Sequence, residues 1–429
     1  MTTPTTGEDR CRETSGSGIR VLVWQWGRRG AGPRVAVEMA AGFASLPGCR
    51  AMLSLSTGAE LLSGRSAVPV DLPVATYAGR SGFVWRALTA PLRRRWLLRH
   101  IASLAPDVAI CAMPGPLDLE MASALRRLKL PFLVVVHDAD RHPGDGSVVQ
   151  MLLQRRLIDR SDGLVALSRH VADRLAEQGA VGARTLLMAS LPPFVFGPLP
   201  APPCAHGGRL RLLCFGRLLP YKGLDLLADA LAAPGLEGRL EVRVVGSGPA
   251  SPELSRLADL PVVSVENRWV PEDEVAALIE WADAVVLPYR EASQSGVAAA
   301  AIAAQRWVVA TAVGGLVEQF RDERLAIMCS PDATDLRRAI DRLLATPPVP
   351  ARPRLDPRLA WRVEAAALLD GIARRVLGRA ASVPDAVPPP GAEVPEAGRR
   401  AIASGGVARL VDAHPGAEEL LDGAQQRAL

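Results

Sequence analysis

Two cations in a glycine-bounded loop, Arg217 and Lys222, are the residues of this sequence best placed to do chemistry. They lie between an apolar run, Leu210–Phe215, and a stretch in which leucine and alanine recur at helical spacing. In open α/β sheets, ligands bind where a strand runs through a loop into a helix, because the free N–H groups of the helix favour anions. The spacing therefore predicts a phosphate or diphosphate site. The alternative is a surface loop with two solvated cations.

A second candidate group, the H-D-A-D sequence His137–Asp140, follows the apolar run Pro131–Val136. Two carboxylates after a strand could hold a divalent metal that bridges a nucleoside diphosphate. Alternatively, His137 caps the sheet with its ring turned to the crevice, and the aspartates cap the next segment. We favour the second interpretation, because the first loop already supplies cations for a phosphate, and we expect no metal site.

The elements around these residues alternate between strand and helix, which predicts doubly wound α/β domains. A chain of 429 residues is too long for one core. The first predicted domain covers residues 19–198 and opens with the strand Ile19–Trp26, followed by a glycine loop that contains Gly30, Ala31 and Gly32. The GxxGxG spacing of this loop differs from the dinucleotide fingerprint, so we expect no bound cofactor.

The strand–helix pattern restarts after a proline-dense linker, which predicts a second domain over residues 199–355. An amphipathic helix is predicted within 356–378. Residues 1–18 are polar and predicted to be flexible, and residues 379–429, rich in Ala, Pro and Gly, are predicted to be disordered. We expect no secretory signal, because residues 1–18 contain no apolar core, and no uninterrupted apolar run in the sequence approaches membrane-spanning length. Six scattered cysteines fit a reducing cytoplasm.

The net charge of +5 is unevenly placed, since arginines alternate with apolar residues over Gly82–Leu104. The stretch from Arg86 to Arg99 fits either an amphipathic surface resting on an anionic lipid leaflet or an ordinary solvated helix face. We expect no nucleic-acid partner, because few aromatic residues beyond Trp85 and Trp96 accompany these arginines.

Six motifs in the second domain resemble the retaining glycosyltransferases of family 4, which have the two-domain GT-B fold. They are F-G-R-L-L-P-Y-K-G (215–223), V-V-G-S-G-P (244–249), V-P-E-D-E-V (270–275), A-D-A-V-V-L-P-Y (282–289), S-Q-S-G-V (293–297) and A-T-A-V-G-G-L-V-E (310–318). The first domain matches more loosely, through its glycine loop and its H-D pair. The resemblance implies two Rossmann-like domains facing a central cleft, with the C-terminal helix crossing back to the first domain.

The resemblance also implies roles for individual residues. The catalytic residues would be Arg217 and Lys222, which would hold the donor diphosphate, and His137, near which the acceptor would sit. The acceptor would sit near Gly30, Ala31 and Gly32. The donor-binding residues would be Gly216, Gly223, Gly246, Gly248, Arg268, Trp269, Glu291, Ser293, Gln294, Ser295, Gly296 and Val297. The nucleotide diphosphate sugar is a co-substrate, and no other cofactor is implied.

One departure from the family concerns its paired glutamates, which would fall at Ala292 and Ala300. Glu291 lies one position early, and S-Q-S-G-V stands in place of the usual motif, which suggests a subgroup with different ribose binding. The family's G-x-P is likewise replaced, by residues 305–307. The expected function is hexose transfer with retention in glycan, exopolysaccharide or glycolipid synthesis, in the cytoplasm or at the inner membrane face. The alternatives are a sugar-nucleotide epimerase and a non-catalytic nucleotide-sugar-binding paralogue.

Overall fold

The computed structural model describes residues 18–63, 68–77, 79–144, 148–196, 208–345 and 356–379. Nearly all of the predicted flexible N-terminus and tail lies outside these residues, as do the predicted domain boundaries near residues 198 and 355. The described residues form two parallel six-stranded sheets with helices packed on both faces. We call residues 18–196 the N-terminal lobe and residues 208–345 the C-terminal lobe; both belong to one compact unit.

The sheet of the N-terminal lobe has the strand order β2-β1-β3-β4-β5-β6. The strands are β1 (Ile19–Gln25), β2 (Cys49–Leu55), β3 (Val108–Cys111), β4 (Phe132–Val136), β5 (Gly163–Ala166) and β6 (Thr185–Met188). The helices are α1 (Ala31–Ala44), α2 (Gly79–Leu88), α3 (Ala90–Leu104), α4 (Asp118–Arg127), α5 (Val148–Arg160) and α6 (Arg169–Glu177), with a 3-10 turn at Glu60–Ser63. The order reverses between β1 and β3, which opens a crevice beyond the carboxyl ends of these strands.

The sheet of the C-terminal lobe has the order β12-β11-β10-β7-β8-β9. The strands are β7 (Leu210–Phe215), β8 (Leu240–Gly246), β9 (Val263–Asn267), β10 (Ala284–Leu287), β11 (Trp307–Thr311) and β12 (Ala326–Cys329). The helices are α7 (Leu224–Ala232), α8 (Pro252–Ala258), α9 (Glu272–Trp281), α10 (Gly296–Ala303), α11 (Leu316–Gln319) and α12 (Ala333–Ala345), with a 3-10 turn at Pro220–Lys222. The reversal here lies between β7 and β10, so the loops after these two strands line the crevice.

The central strands are continuous apolar runs because helices cover both faces of each sheet. All five residues of β4 and all four of β10 are buried. A hydrophobic core lies on each face of each sheet. The strands therefore hold their carboxyl-end loops on a rigid support.

The C-terminal helix α13 (Pro357–Arg375) packs against α1 of the N-terminal lobe. A Cβ added at Gly42 of α1 would lie 2.7 Å from the carbonyl oxygen of Trp361, so glycine permits the close approach of the two helices. The Trp361 indole donates a hydrogen bond of 3.1 Å to the carbonyl of Pro193. The predicted GT-B architecture, including the helix that crosses back, is confirmed.

One helix boundary differs from the sequence prediction, and the expected break near Pro91 is confirmed. Ala31 and Gly32, predicted as loop residues, form the first turn of α1, and the loop ends at Gly30. Pro33 is compatible with this turn because the first N–H groups of a helix have no partner within the helix. The basic stretch divides at Thr89, just before Pro91, into α2 and α3. Among the described helices, none is both long and apolar enough to cross a membrane.

Candidate functional site

The two predicted cations lie at the reversal point of the C-terminal lobe, where the loops after β7 and β10 meet. The Lys222 ammonium lies 3.6 Å from the centroid of the buried Tyr289 ring and 4.8 Å from that of Tyr221. Arg217 is exposed, and its Nη2 donates a hydrogen bond of 2.9 Å to the Tyr221 hydroxyl. The faces of both tyrosine rings attract the ammonium electrostatically and hold it in place. The arrangement presents fixed positive charge to the crevice.

The N-terminus of α10 lies beside these cations. Ser295 caps the helix, its hydroxyl accepting from the N–H of Ala298 at 3.2 Å. The Gln319 side chain binds both the N–H and the carbonyl of Ser295, at 2.9 and 3.0 Å. The free N–H groups of the first turn, at Gly296 and Val297, are thereby held in one orientation. Such a terminus favours an anion.

The glycines of the donor loops allow backbones to approach closely. A Cβ added at Gly246 would lie 1.6 Å from the carbonyl oxygen of Gly216, and one at Gly248 would lie 2.0 Å from that of Leu218. The Asn267 amide donates to the Gly248 carbonyl and accepts from the Gly248 N–H, at 3.1 and 3.0 Å. The loops after β7, β8 and β9 therefore form one packed surface.

His137 connects the two lobes through Gln294 of the S-Q-S-G-V segment. Its Nε2–H donates to the carbonyl of Ala112 at 2.9 Å, and its Nδ1 accepts from the Gln294 amide at 2.9 Å. Burial lowers the pKa of His137, which favours this neutral tautomer. The Gln294 Oε1 is buried and finds no hydrogen-bond partner within the described residues. The His137 ring therefore lies at a contact between the two lobes, and its role in catalysis stays a prediction.

Three further contacts hold the S-Q-S-G-V segment and its surroundings against the N-terminal lobe. The Ser168 hydroxyl donates to the Ser293 carbonyl at 3.2 Å. The Glu318 carboxylate accepts from the first two N–H groups of α6, at 2.9 and 3.1 Å. A Cβ added at Gly296 would lie 3.5 Å from the Cβ of Ala31, so the first turn of α1 faces the N-terminus of α10.

The predicted base-binding residues Arg268 and Trp269 make contacts of their own. Arg268 is exposed and pairs with Glu266 at 3.0 Å and Glu274 at 2.7 Å. The Trp269 indole donates to the Glu60 carboxylate of the N-terminal lobe at 3.3 Å. This loop therefore closes one end of the crevice.

Side chains donate hydrogen bonds to both aspartates of the H-D-A-D sequence. Asp138 accepts from His142 at 3.1 Å, and Asp140 accepts from Arg174 of α6 at 2.7 Å. The first donor lies in the same loop and the second lies on α6; capping of the next segment stays a prediction, because residues 145–147 are outside the described residues. Among the described residues, no group of three or more His, Cys, Asp or Glu side chains could hold a metal ion.

The sites of the two missing family glutamates are both filled by buried alanine, Ala292 and Ala300. The G-x-P substitution has a structural account. Gln305 adopts the left-handed conformation, with φ of 55°, and the buried Arg306 guanidinium donates to the carbonyls of Ile279 and Glu280. Arg306 thus caps the C-terminus of α9, where positive charge is favourable.

Sequence reasoning missed three residues of this site: Tyr221, His142 and Gln319. Tyr221 lies inside the predicted R-x4-K loop, and His142 follows His137 by five residues in the same loop. Both residues could have been identified as site candidates, because they lie in loops that were already predicted to belong to the site. Nothing in the sequence marks Gln319, whose role depends on the approach of α11 to α10.

Two family matches cover most of both lobes. Residues 33–185 match Glycosyltransferase Family 4, and residues 209–346 match Glycosyl transferases group 1. The chain is 32% identical over 255 residues to a D-inositol 3-phosphate glycosyltransferase of Streptomyces bingchenggensis, covering 52% of this chain and 55% of the relative. It is 33% identical over 105 residues to a GDP-mannose:glycolipid 4-beta-D-mannosyltransferase of Xanthomonas campestris pv. campestris, covering 23% and 30%. The chain thus spans about half the length of these relatives, or less.

Solved structures share the fold at low sequence identity. Anabaena HepE in complex with UDP and glucose superposes with a TM-score of 0.57 at 16% identity, over 82% of this chain and 95% of that chain. A likeness of this size establishes the fold alone. The two family matches show that the chain belongs to the family 4 glycosyltransferases, and the structural likeness shows that it has the GT-B fold.

Proposed function

We propose that this chain transfers a hexose from a nucleoside diphosphate sugar to an acceptor hydroxyl, with retention of configuration. The observation that carries the proposal is the pair of cations, Arg217 and Lys222, beside the N-terminus of α10 at the crevice. As the glycosidic bond breaks, negative charge develops on the departing diphosphate. Preorganised cations aimed at that charge stabilise the transition state more than the ground state.

The proposal includes the stereochemical outcome, which is retention of the anomeric configuration. An inverting reaction needs a general base on the face opposite the leaving group, whereas front-face transfer lets the departing phosphate take the acceptor proton. Both nitrogens of His137 are already used, by Ala112 and Gln294, which disfavours His137 as that base. The Xanthomonas relative is named for a β-linked product. The anomeric proton coupling in the NMR spectrum of the product distinguishes the two outcomes.

A panel of UDP-, GDP- and ADP-hexoses scored by thermal shift tests the donor. We expect one nucleotide to raise the melting temperature, because a ligand that binds the folded state stabilises it by mass action. Turnover with glycolipid, polysaccharide and inositol phosphate acceptors follows. Hydrolysis or epimerisation without acceptor would favour the epimerase alternative. Tight binding with no turnover on any acceptor would favour a non-catalytic paralogue.

We further propose that the acceptor is lipid-linked and that the chain, a cytoplasmic protein, contacts the inner membrane face through α2 and α3. Trp85 and Leu88 at the end of α2 are 66% and 71% exposed. Val149 and Leu152 in the first turns of α5 are also exposed. Arg86 pairs with Glu120 at 2.8 Å, which joins α2 to α4, and α4 packs on α5. The two apolar patches therefore lie on the same side of the lobe.

The charge around these patches fits an anionic leaflet. Helices α2, α3 and α5 contain nine arginines and one acidic residue, Asp159. Arg95 and Arg99 of α3 and Arg155 and Arg156 of α5 are exposed. Basic side chains near anionic lipid contribute about 1 kcal/mol each, and exposed tryptophan suits the membrane interface.

Replacing Trp85 and Leu88 together with serine should lower binding to vesicles of equal phosphatidylglycerol and phosphatidylcholine by at least about tenfold, since two apolar anchors are lost. Binding should also fall with added salt. Sedimentation with the vesicles measures it. The control is Val363→Ser, an exposed apolar position on α13. Equal binding to anionic and pure phosphatidylcholine vesicles, or no effect of the double substitution, would contradict the membrane contact.

A further inference from the structure

His142 occupies an unusual position between the two lobes. It lies in the loop after β4 and is buried. Its Nε2 is 3.1 Å from the Asp138 Oδ1 of the same loop, and its Nδ1 is 3.2 Å from the Glu291 Oε2 of the C-terminal lobe. Neutral imidazole has only one N–H, so it can donate to one carboxylate at a time. Both hydrogen bonds together require the imidazolium form.

The same ring touches the donor-phosphate loop. It stacks on Tyr221, with ring centroids 4.5 Å apart and an interplanar angle of 13°. The Tyr221 hydroxyl accepts the hydrogen bond from Arg217, and the Lys222 ammonium lies over the same tyrosine ring. The loops also meet at Gly144, where an added Cβ would lie 3.1 Å from the Pro220 Cδ. His142 is therefore one contact away from both predicted phosphate cations.

The charges that face His142 come from both lobes. Asp138 and Glu291 are the anionic groups at its two nitrogens, while Arg217 and Lys222 lie on the far side of Tyr221. Burial alone would lower the pKa of His142, but the hydrogen bonds and charges of Asp138 and Glu291 outweigh it and raise the pKa above the usual 6.5. The Asp138 pKa is correspondingly lowered: burial would raise it, but the contacts with His142 prevail.

We propose that protonated His142 is a positioning residue that ties the acceptor-side loop to the donor loop and orients Tyr221 for Arg217. This inference rests on the proposed function, because it concerns the binding of a nucleoside diphosphate. In this arrangement Glu291 binds His142 across the two lobes, and we do not assign Glu291 to the binding of the sugar.

The sign of the pH dependence follows from linkage. Closing the lobes brings Glu291 to the ring and so raises the pKa of His142, which means that closing takes up a proton. The closed arrangement is then favoured at low pH and is weakened as the pH rises through the raised pKa. Nucleotide binding to the closed form should weaken over the same range.

The test measures the dissociation constants of UDP and GDP by calorimetry between about pH 6 and about pH 9, the range in which a histidine of raised pKa titrates. The full chain is compared with His142→Gln, His142→Arg and a control, His100→Gln, at an exposed histidine on α3. The nucleotide's own ionisation is common to all four proteins, so differences between the profiles report on the protein. Thermal unfolding checks that each variant is folded.

We expect the affinity of wild type and of His100→Gln to fall with rising pH by up to about tenfold relative to that of His142→Gln. A tenfold change corresponds to a difference of about one unit between the His142 pKa of the nucleotide-bound protein and that of the free protein. His142→Arg should keep its affinity across the range, because a planar, permanently charged group can bridge both carboxylates and stack on Tyr221. Superimposable profiles for wild type and His142→Gln would overturn the role of His142 while leaving the proposed function intact. If wild type binds neither of these nucleotides and does not bind ADP either, both fail.

A second measurement does not depend on nucleotide binding. The NMR titration of the histidine ring protons, assigned by their loss in His142→Gln, should give His142 a pKa above 6.5 that falls in Glu291→Gln. A pKa at or below 6.5, or one that Glu291→Gln leaves unchanged, would overturn the inference even if nucleotides bind.

Discussion

Replacing Lys222 with alanine should lower the turnover of sugar transfer by at least about a hundredfold. The Lys222 ammonium is held between the rings of Tyr289 and Tyr221, so its charge is fixed in place before the leaving group departs. Water cannot replace it well, because mobile dipoles must reorganise as the diphosphate charge develops. We expect the loss mainly in the rate of the chemical step, with a smaller effect on donor affinity.

The sequence offers a matched control for this experiment. It contains only two lysines, and the other one, Lys129, is exposed at the end of α4. Lys129→Ala should leave turnover unchanged. The assay follows release of the nucleoside diphosphate with the donor selected by thermal shift. Turnover of Lys222→Ala within about twofold of wild type would remove Lys222 from stabilisation of the leaving group.

Gly223→Ala should lower the free energy of unfolding by at least about 2 kcal/mol. Gly223 caps α7 with φ of 65°, a conformation that residues with a Cβ rarely adopt. An added Cβ would lie 1.7 Å from the carbonyl oxygen of Pro288, so the backbone after β10 would have to move. Because Gly223 directly follows Lys222, this movement should also weaken the binding of UDP or GDP.

Gly238 separates the two causes of this loss. It also has a positive φ, 74°, but an added Cβ there would meet no atom within 4 Å. Gly238→Ala should therefore show backbone strain alone, about 1 kcal/mol, and leave nucleotide binding unchanged. Chemical denaturation of both variants gives the two free energies. Equal losses would show that the contact with Pro288 has no energetic consequence.

The fold could be predicted from the sequence because its signals are local. The strands β7 and β11 begin and end where the apolar runs predicted, at Leu210–Phe215 and Trp307–Thr311. The alternation of strands and helices along the chain predicts parallel sheets, because each helix connects one strand to the next parallel strand. Helix starts were less well predicted: Ala31 and Gly32, predicted as loop residues, lie in the first turn of α1, because the first turn of a helix carries no periodic signal.

Only the part of the candidate site that lies within one strand–loop–helix unit could be predicted from the sequence. Arg217 and Lys222 could be recognised because only four residues separate them in one loop. Tyr289, against which Lys222 packs, comes from the loop after β10, which the crossover connections place beside β7. That neighbour depends on strand order, which no local pattern encodes.

The sequence alone determined the two sheets, the cations and the absence of the paired glutamates, because these depend on residue type and short spacing. The tertiary structure decided which groups face each other across the crevice. Glu291 and His142 are 149 residues apart in the chain and meet only when the lobes approach. Such contacts depend on the packing of two rigid sheets and of α13 across them, so their chemistry appears only in three dimensions.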